Sequence, residues 1–477
     1  MVNLSFHGGI KEVGGNKIFV EYKDTKIFVD FGLSFSKFKK YFSEFLRPRN
    51  FNIIEDMLEF DLLPKIEGIY RTDYLNWLKT HNPDIKVYEN PTIDGVILSH
   101  AHADHSQNIS FLHEKIPIYC SEETGLFLKI FQDVSKQEVT NEFYEIKIAF
   151  ENRKKKDRIN RLLKNFKNNQ KFSIGDIEIE AINVDHSIPG SYGFIIYTDK
   201  TIVYSGDLRF HGKNKKLTYE FVEKAKEARP DILIIEGTNI NDDSGYTEED
   251  VKRGITESIK KTKNLVFVSF SWKDIDRFNS FYQASKENRR ILAVSPKQAY
   301  MLKLFKENNF SEIPDIKDEN IAIYIPREGW GTVSLEEYPL EEKKKDYQQK
   351  KWMHEFLSYE NMVTFKDINK KQEDYVVWLD YFSLNEMIDL KPKEGSIFIY
   401  SASEPHDEEQ EIDFERMMNW IDHFRLKFFQ FHASGHAYRK DLKFIIDEIN
   451  PKEVLPIHTS NPEEFKNIVT NSKLILV

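Results

Sequence analysis

Residues 93–106, IDGVILSHAHADHS, place three histidines and an aspartate directly after a short apolar run. The nearly continuous apolar run is typical of a strand that is covered on both faces of its sheet. His100 and His102 are two positions apart and project from the same side of an extended chain. Asp104 and His105 follow where the chain turns. Imidazole and carboxylate together suit zinc, or manganese where oxygen ligands dominate.

Three further metal-donor side chains also end apolar strands. His186 follows DIEIEAINV, Asp207 follows TIVYS, and His458 ends EVLPIH. The competing interpretation is that these are polar loops in which histidines occur by coincidence. That interpretation would require the same coincidence at four strand ends. Because α/β proteins tend to collect functional groups where their strands end, the pattern predicts a metal site.

Length, charge and cysteine content limit the classes of protein. A chain of 477 residues is expected to form two or three domains. The formal charge of −10 restricts nucleic-acid binding to local basic patches, such as 153–171 and 343–351, although solvated helix faces explain each segment better on its own. The single cysteine, Cys120, excludes an intrachain disulfide and suits a reducing compartment. No secretory signal or apolar run of membrane length is visible, so we expect a cytoplasmic protein without a membrane partner.

The order of predicted elements indicates an interrupted α/β chain. KIFVEY and KIFVD predict a hairpin near the N-terminus. The preceding HGGIKEVGGN is glycine-rich like a phosphate loop, but a strand follows instead of a helix, so a tight β-bend is expected. We expect insertions over about 34–91, which is aromatic and helix-like, and over 140–172. From about residue 247, helix-like and strand-like segments alternate, which predicts βαβ units on a mostly parallel sheet.

The H-x-H-x-D-H motif, followed by a histidine and by the aspartate of a strand-end S-G-D, resembles the metallo-β-lactamase fold. The resemblance implies an α/β protein in which two sheets form an αββα sandwich with helices outside. It also implies two metal ions bridged by Asp207, as two Zn²⁺ with Mn²⁺ or Mg²⁺ as alternatives. The implied ligands are His100, His102 and His186 for one ion, and Asp104, His105 and His458 for the other.

A second resemblance lies near the C-terminus. FHASGHA (431–437), followed by a strand-end histidine, is similar to the H-x-S-G-H element of the β-CASP nucleases, the group that contains ribonuclease J. IIEGT (234–238) matches the acidic strand-end motif of that group, and GGIKEVGGN…VDFGLSF resembles its N-terminal pattern. In these nucleases a cap domain is inserted into the metallo-β-lactamase fold. We therefore expect residues 1–237 and 426–477 to form the metallo-β-lactamase domain, and 238–425 to form the inserted αβ β-CASP domain.

The same resemblance implies catalytic roles for Asp104, Glu236 and His436. A leaving 3′-oxygen needs a proton, and a histidine positioned by a carboxylate is the usual donor. His436 is the expected donor and Glu236 its orienting group; a packed core histidine is the alternative. The expected phosphate contacts are His432, Ser434, Gly435, Ser401, Ser403 and Arg277. An ordinary helix arginine and loop serines explain the last three equally well.

These features predict a metal-dependent hydrolase of phosphodiester bonds in single-stranded RNA, acting as a 5′–3′ exonuclease, an endonuclease or both. The alternatives are a DNA nuclease, a hydrolase of thioesters or cyclic nucleotides, and a nucleic-acid-binding module without catalysis. The αβ insertion and His436 count against a small substrate. The loop EPHDEEQE is more acidic than its counterpart in ribonuclease J, so no 5′-end preference is predicted. The chain ends soon after His458, so no further C-terminal domain is expected, and a homodimer remains open.

Overall fold

A computed structural model describes residues 1–148, 158–310, 312–327, 351–405 and 407–477. Parts of the two predicted basic segments, 153–157 and 343–350, lie outside the described residues, as does part of the predicted 140–172 insertion.

The described residues divide into two compact units. The first consists of Met1–Phe210, Asn214–Gly245 and Gly435–Val477, and the second of His211–Lys213 and Tyr246–Ser434. The second unit extends beyond the boundary expected at 425, because the strand Lys427–Gln430 pairs with the strand Ile397–Tyr400 and so belongs to the inserted sheet.

Two mixed sheets build the first unit. One has the order β1-β2-β3-β4-β5-β8 and the other the order β22-β21-β13-β12-β11-β10-β9. The strands of the first sheet are β1 (Asn3–Phe6), β2 (Ile18–Tyr22), β3 (Thr25–Val29), β4 (Gly95–Ile97), β5 (Ile118–Ser121) and β8 (Leu163–Phe166). Those of the second are β9 (Gln170–Ile174), β10 (Ile177–Asn183), β11 (Tyr192–Tyr197), β12 (Thr201–Tyr204), β13 (Ile232–Glu236), β21 (Glu453–Ile457) and β22 (Lys473–Leu474). A separate antiparallel pair joins β6 (Glu145–Lys147) to β7 (Arg158–Asn160).

The predicted hairpin is confirmed, since β2 and β3 pair antiparallel around Lys23, whose φ is 52°. From β3 to β8 the first sheet is parallel. In the second sheet β12, β13, β21 and β22 are parallel neighbours. The carboxyl ends of β12, β13 and β21 therefore meet at one edge of that sheet, which is where the predicted site residues begin.

The αββα sandwich is confirmed within the first unit. One apolar core lies between the sheets and contains residues of both, such as Ile27 and Ile97 from the first and Phe194 and Ile234 from the second. A second core lies between the outer face of the second sheet and two helices. Helices of this unit are α1 (Phe35–Lys39), α2 (Ile53–Glu59), α3 (Thr72–Lys79), α4 (Ala103–Ser106), α5 (Glu122–Val134), α6 (Lys215–Glu227) and α14 (Arg439–Ile449). The expected insertion at 34–91 contains α1 to α3.

The second unit is built on a parallel sheet of order β17-β16-β15-β18-β14-β19-β20. Its strands are β14 (Val266–Ser269), β15 (Ile291–Val294), β16 (Ile321–Tyr324), β17 (Met362–Val363), β18 (Tyr375–Trp378), β19 (Ile397–Tyr400) and β20 (Lys427–Gln430). Its helices are α7 (Glu248–Lys260), α8 (Ile275–Glu287), α9 (Pro296–Glu307), α10 (Lys351–His354), α11 (Phe365–Lys370), α12 (Glu386–Leu390) and α13 (Glu408–His423). The predicted βαβ alternation and the inserted αβ domain are thus confirmed.

Among the described helices, none combines the length and the apolar character needed to cross a bilayer.

Candidate metal centre

Three imidazoles converge beside the end of β4. Nε2 of His100 lies 3.0 Å from Nδ1 of His102, and that same Nδ1 lies 3.1 Å from Nε2 of His186. Lone pairs of two ring nitrogens repel each other, so such short separations require a proton or a cation between them. Burial, followed by repulsion from His105 and His102, holds the pKa of His100 well below its usual 6.5. Neutral imidazole is the form that binds metal ions.

A second set of donors lies next to the first. Oδ2 of Asp104 is 3.0 Å from Nε2 of His458 and 3.8 Å from Nε2 of His105. His458 follows β21 with a φ of 55°, in the left-handed region, and its N–H donates to the carbonyl of Gly9 at 2.7 Å. The hydrogen bond to Gly9 helps to hold His458 in this sparsely populated conformation.

Asp207 lies between the two sets. Its Oδ2 is 3.1 Å from Nε2 of His105 and 3.7 Å from Nε2 of both His100 and His458. It is also 3.8 Å from Nε2 of His186. Its Oδ1 is buried and has no hydrogen-bond partner among the described residues. A buried orphan oxygen costs free energy unless something binds it, so the donor set around Asp207 fits a divalent cation.

The charges of the metal-free centre are strongly coupled. Burial lowers the pKa of His105, but the carboxylates of Asp207, Asp30 and Asp104 outweigh it and hold that pKa well above 6.5. Burial raises the pKa of Asp207, but the imidazoles of His105, His458 and His436 outweigh it and hold that pKa far below its usual range. The centre is therefore anionic at its middle oxygen, which favours cation binding.

Hydrogen bonds behind the ligands orient their rings. Nδ1 of His105 lies 2.8 Å from Oδ2 of Asp30, which also accepts from the hydroxyls of Tyr204 at 2.7 Å and Ser99 at 2.8 Å. Nδ1 of His186 lies 2.6 Å from the carbonyl oxygen of Gly435. Both acceptors hold a proton on Nδ1, so Nε2 is the nitrogen that would face a metal ion. His105 would release its second proton, the one on Nε2, when an ion binds.

His436 and Glu236 lie together at the edge of this centre. Nδ1 of His436 is 3.3 Å from Oε2 of Glu236 and 3.8 Å from Oδ2 of Asp207. Glu236 also accepts from the backbone N–H groups of Thr238 at 3.0 Å and Ala437 at 3.1 Å. Burial lowers the pKa of His436, but Glu236 and then Asp207 outweigh it and raise that pKa to about 9. With 19% of its side chain exposed, His436 is a protonated group that solvent or substrate can reach.

The N-terminal glycine segment packs against the loop that contains Asp104, and the N–H of Asn16 donates to the carbonyl of Asp104 at 3.0 Å. The segment is a bend and not a helix-capping loop, as the sequence predicted. Gly14 has a φ of +81°, and a Cβ there would lie 2.7 Å from Cβ of Asp104. A Cβ at Gly32 would lie 1.7 Å from the carbonyl oxygen of Asp104. These two positions require glycine because the backbone approaches the ligand loop too closely for any side chain.

In the second unit, three of the predicted phosphate contacts lie together. Nη1 of Arg277 lies 2.6 Å from Oγ of Ser401 and 3.5 Å from Nδ1 of His432. The guanidinium also donates to Glu248 at 3.0 Å and to the carbonyl of Ala433 at 3.2 Å. Arg277 is completely buried, and this set of internal partners favours a positioning role over the predicted phosphate contact.

The remaining predicted contacts are separate. Ser403 is outside the Arg277 network, and its carbonyl accepts from the hydroxyl of Tyr400 at 3.4 Å. The carbonyl of Ser434 accepts from Nε2 of His211 at 2.7 Å. Gly435 belongs to the first unit, where its carbonyl is bound to His186.

Three residues that the sequence interpretation did not single out also serve the centre: Asp30, Tyr204 and Thr238. Asp30 directly follows the apolar strand β3, and a polar side chain after an apolar strand is the same signal that identified the metal ligands. Thr238 lies within IIEGT and Tyr204 within an apolar strand, and neither position carries a comparable signal.

Two family descriptions match the chain. Residues 72–260 match a β-lactamase superfamily domain, and residues 421–464 match a Zn-dependent metallo-hydrolase RNA specificity domain. The second match includes His432, Ser434, Gly435, His436 and His458.

Curated relatives match nearly the whole chain at low identity. Ribonuclease J of Mycoplasma genitalium is 21% identical over 94% of this chain and 66% of that protein. Ribonuclease J of Pyrococcus abyssi is 21% identical over 96% of this chain and 90% of the relative. Ribonuclease J of Thermus thermophilus is 24% identical over 94% and 67%. The chain thus spans about two thirds of the length of the Mycoplasma genitalium relative.

A solved structure shares the architecture. The crystal structure of a protein of unknown function from Enterococcus faecalis V583 superposes with a TM-score of 0.72 and 25% identity, covering 99% of this chain and 97% of the other.

Proposed function

We propose that this chain, a ribonuclease J-like protein of the metallo-β-lactamase fold with an inserted β-CASP unit, is a metal-dependent ribonuclease. The observation that carries the proposal is the position of Asp207, whose Oδ2 lies within 3.8 Å of ring nitrogens from both ligand sets. A carboxylate between two donor sets is typical of two-metal phosphodiesterases. The match to an RNA specificity domain and the three ribonuclease J relatives support RNA as the substrate.

The donor set supports two ions, with zinc favoured by the five imidazoles and manganese or magnesium as alternatives. The first ion would be held by His100, His102 and His186, the second by Asp104, His105 and His458, and Asp207 would be shared. When bound, the ions lower the pKa of a coordinated water to about 7 and neutralise charge on a phosphate.

His436 supplies the proton for the leaving 3′-oxygen in this proposal. Its raised pKa keeps the ring protonated at neutral pH in the metal-free protein, and nearby dications would lower that pKa towards the range in which a general acid is most effective. Glu236, 3.3 Å away and held by two backbone N–H groups, orients the ring. Asp104 serves as a metal ligand beside the reacting group.

Phosphate contacts are proposed for the hydroxyl and N–H of Ser434, for the N–H of Gly435 and for His432. The backbone N–H groups of a Ser-Gly turn and a nearby imidazole provide donors without requiring a flexible side chain. Ser401 and Ser403 remain proposals of the same kind. For Arg277, the buried network supports a role in holding the segment that contains His432.

The test uses the full chain with measured metal content. Wild-type protein should cleave single-stranded RNA, and Asp207→Asn should lose both metal and cleavage. His436→Ala should retain metal and RNA binding but lose about 10²–10⁴-fold in rate, the usual contribution of a general acid. Cleavage of thioesters or DNA in preference to RNA by metal-loaded protein would contradict the proposal, as would equal RNA cleavage by wild type and His436→Ala.

The direction of cleavage is a finer part of the proposal. Comparing 5′-monophosphate RNA with 5′-hydroxyl RNA and with circular RNA separates 5′–3′ exonuclease from endonuclease activity. A duplex of the same sequence tests the proposed preference for single strands. Sedimentation of the metal-loaded chain tests whether a homodimer forms.

A further inference from the structure

Thr238 is a hydroxyl residue placed between two imidazoles of the centre. It lies two residues beyond the end of β13. Its Oγ1 is 2.8 Å from Nδ1 of His458 and 3.2 Å from Nδ1 of His436. The same oxygen is 3.3 Å from the carbonyl oxygen of His458. One hydroxyl therefore contacts both a proposed metal ligand and the proposed proton donor.

The surroundings of Nε2 of His458 determine which atom donates in the hydrogen bond between Nδ1 of His458 and Oγ1 of Thr238. Nε2 of His458 points at the ligand oxygens, 3.0 Å from Asp104 and 3.7 Å from Asp207. A metal ion in this position requires the lone pair on Nε2, so the ring proton must reside on Nδ1. Nδ1–H then donates to Oγ1 of Thr238. The hydroxyl proton must point elsewhere. Nδ1 of the protonated His436 carries a hydrogen, so Oγ1 can accept from that ring as well, and the hydroxyl donates to the carbonyl oxygen of His458.

The rest of the centre contains comparable partners for the other ligands. His105 has Asp30 and His186 has the carbonyl of Gly435 as acceptors for their Nδ1 protons. Among the described residues, the side-chain partner of Nδ1 of His458 is Thr238. Outer partners of this kind typically change metal affinity 10–100-fold when removed.

We propose that Thr238 is a positioning residue: its hydroxyl fixes the ring of His458 with Nε2 towards the second metal site and holds His436 beside it. The inference rests on the proposed metal centre but not on RNA as the substrate. The backbone N–H of Thr238 donates to Glu236 at 3.0 Å, and any residue except proline keeps this bond. A substitution of Thr238 therefore tests the role of its side chain alone.

The experiment removes the hydroxyl and keeps the shape. Metal-free wild type, Thr238→Val and Thr238→Ser are titrated with Zn²⁺ against a chromophoric chelator. Wild type and Thr238→Ser should bind two ions per chain. Thr238→Val should bind the first ion normally and the second 10–100-fold more weakly. Thr198→Val is the matched control, because Thr198 lies on an exposed turn where its hydroxyl bonds only locally, to the carbonyl of Lys200.

Two outcomes would overturn the inference: equal affinity of wild type and Thr238→Val for both ions, or equal weakening of both sites. Unfolding temperatures of the metal-free proteins identify a general folding defect, and in that event Thr238→Ala replaces the valine variant with the same expected loss of the second ion. A split in zinc affinity without RNA cleavage by wild type would keep this inference and reject the proposed ribonuclease. RNA cleavage by wild type, together with unchanged zinc affinity in Thr238→Val, would support the proposed ribonuclease and reject the proposed role of Thr238.

Discussion

The Nδ1 atom of His186 lies 2.6 Å from the carbonyl oxygen of Gly435, although the two residues are 249 positions apart. One residue is a proposed ligand of the first metal ion, and the other precedes the proposed proton donor, His436. The bond requires the ring proton on Nδ1, and it joins the turn of HASGHA to the metal centre. We therefore expect a displacement of Gly435 to affect both of these proposed roles.

Gly435→Ala should weaken the first metal site. A Cβ at this position would lie 2.9 Å from Cε1 of His186 and 3.2 Å from Oγ of Ser187, so the ring must move. We expect a loss of about 10-fold or more in affinity for the first ion, measured by zinc titration. Gly125→Ala is the control, because a Cβ there would have its nearest neighbour at 3.7 Å. Unchanged zinc affinity in Gly435→Ala would contradict this account of the close approach.

Asp30→Asn should weaken zinc binding through His105. Oδ2 accepts side-chain hydrogen bonds from His105, Tyr204 and Ser99, and Oδ1 accepts the backbone N–H of Ser99. An amide of the same shape therefore presents its N–H₂ group to at least one of these donors in either orientation. We expect a 10–100-fold loss in metal affinity, measured by zinc titration. Circular dichroism should show that the fold is retained. Asp94→Asn, at an exposed position where the side chain accepts from the backbone of Lys26, should bind zinc like wild type.

Arg277→Met should destabilise the second unit and leave zinc affinity unchanged. The guanidinium and Glu248 form an ion pair at 3.0 Å with both side chains buried. Removing the cation leaves the carboxylate without its ion-pair partner, at a cost of about 3–5 kcal/mol, measured by urea unfolding. The exposed pair of Arg253 and Asp250 supplies the control, because Arg253→Met should cost about 1 kcal/mol or less. A large loss of RNA affinity with no loss of stability would instead support the direct phosphate contact predicted from the sequence.

Lys17→Met should stabilise the metal-free protein near neutral pH. Burial lowers the pKa of Lys17 from 10.5 to about 7. Between these two values the unfolded chain binds a proton that the folded chain does not, so the stability contributed by this group rises with pH across that window. The penalty is fully present below about pH 7 and disappears above about pH 10.5.

The measurement for Lys17 is the difference in unfolding free energy between wild type and Lys17→Met from pH 6 to 11. The variant should be more stable at pH 7 by an amount on the order of a few kcal/mol, and the difference should vanish at high pH. Lys23→Met, at an exposed lysine, should show no such dependence. A constant difference across the pH range would contradict a neutral buried lysine.

Much of the candidate site could be predicted from local sequence. His100, His186 and Asp207 each follow an apolar run, and hydrophobic periodicity together with strand termination is a property of neighbouring residues. Asp30 also follows an apolar run, but a single carboxylate after one strand carries no metal-binding pattern of its own. The resemblance to a known fold then assigned the ligands to two sets.

The roles of Arg277 and Thr238 could not be predicted in this way. Arg277 is on helix α8. Only the packing of α8 against the segments around Ser401 and Ala433 buries its guanidinium and lets it donate to the carbonyls of these two residues. Thr238 reaches His458 because β13 and β21 are parallel neighbours with Glu236 opposite Ile457. Strand order depends on contacts between segments more than 200 residues apart, which no local pattern specifies.

By itself the sequence determined which side chains stand at strand ends, the αβ character of the insertion and the chemistry of the donor set, because these depend on residue type and short-range periodicity. Only the tertiary structure decided that Oδ2 of Asp207 lies between the two donor sets, that Gly435 orients His186, and that Thr238 joins His458 to His436. The physical reason is that a distance of about 3 Å between atoms far apart in the chain is set by sheet order and packing, and these emerge from the whole fold.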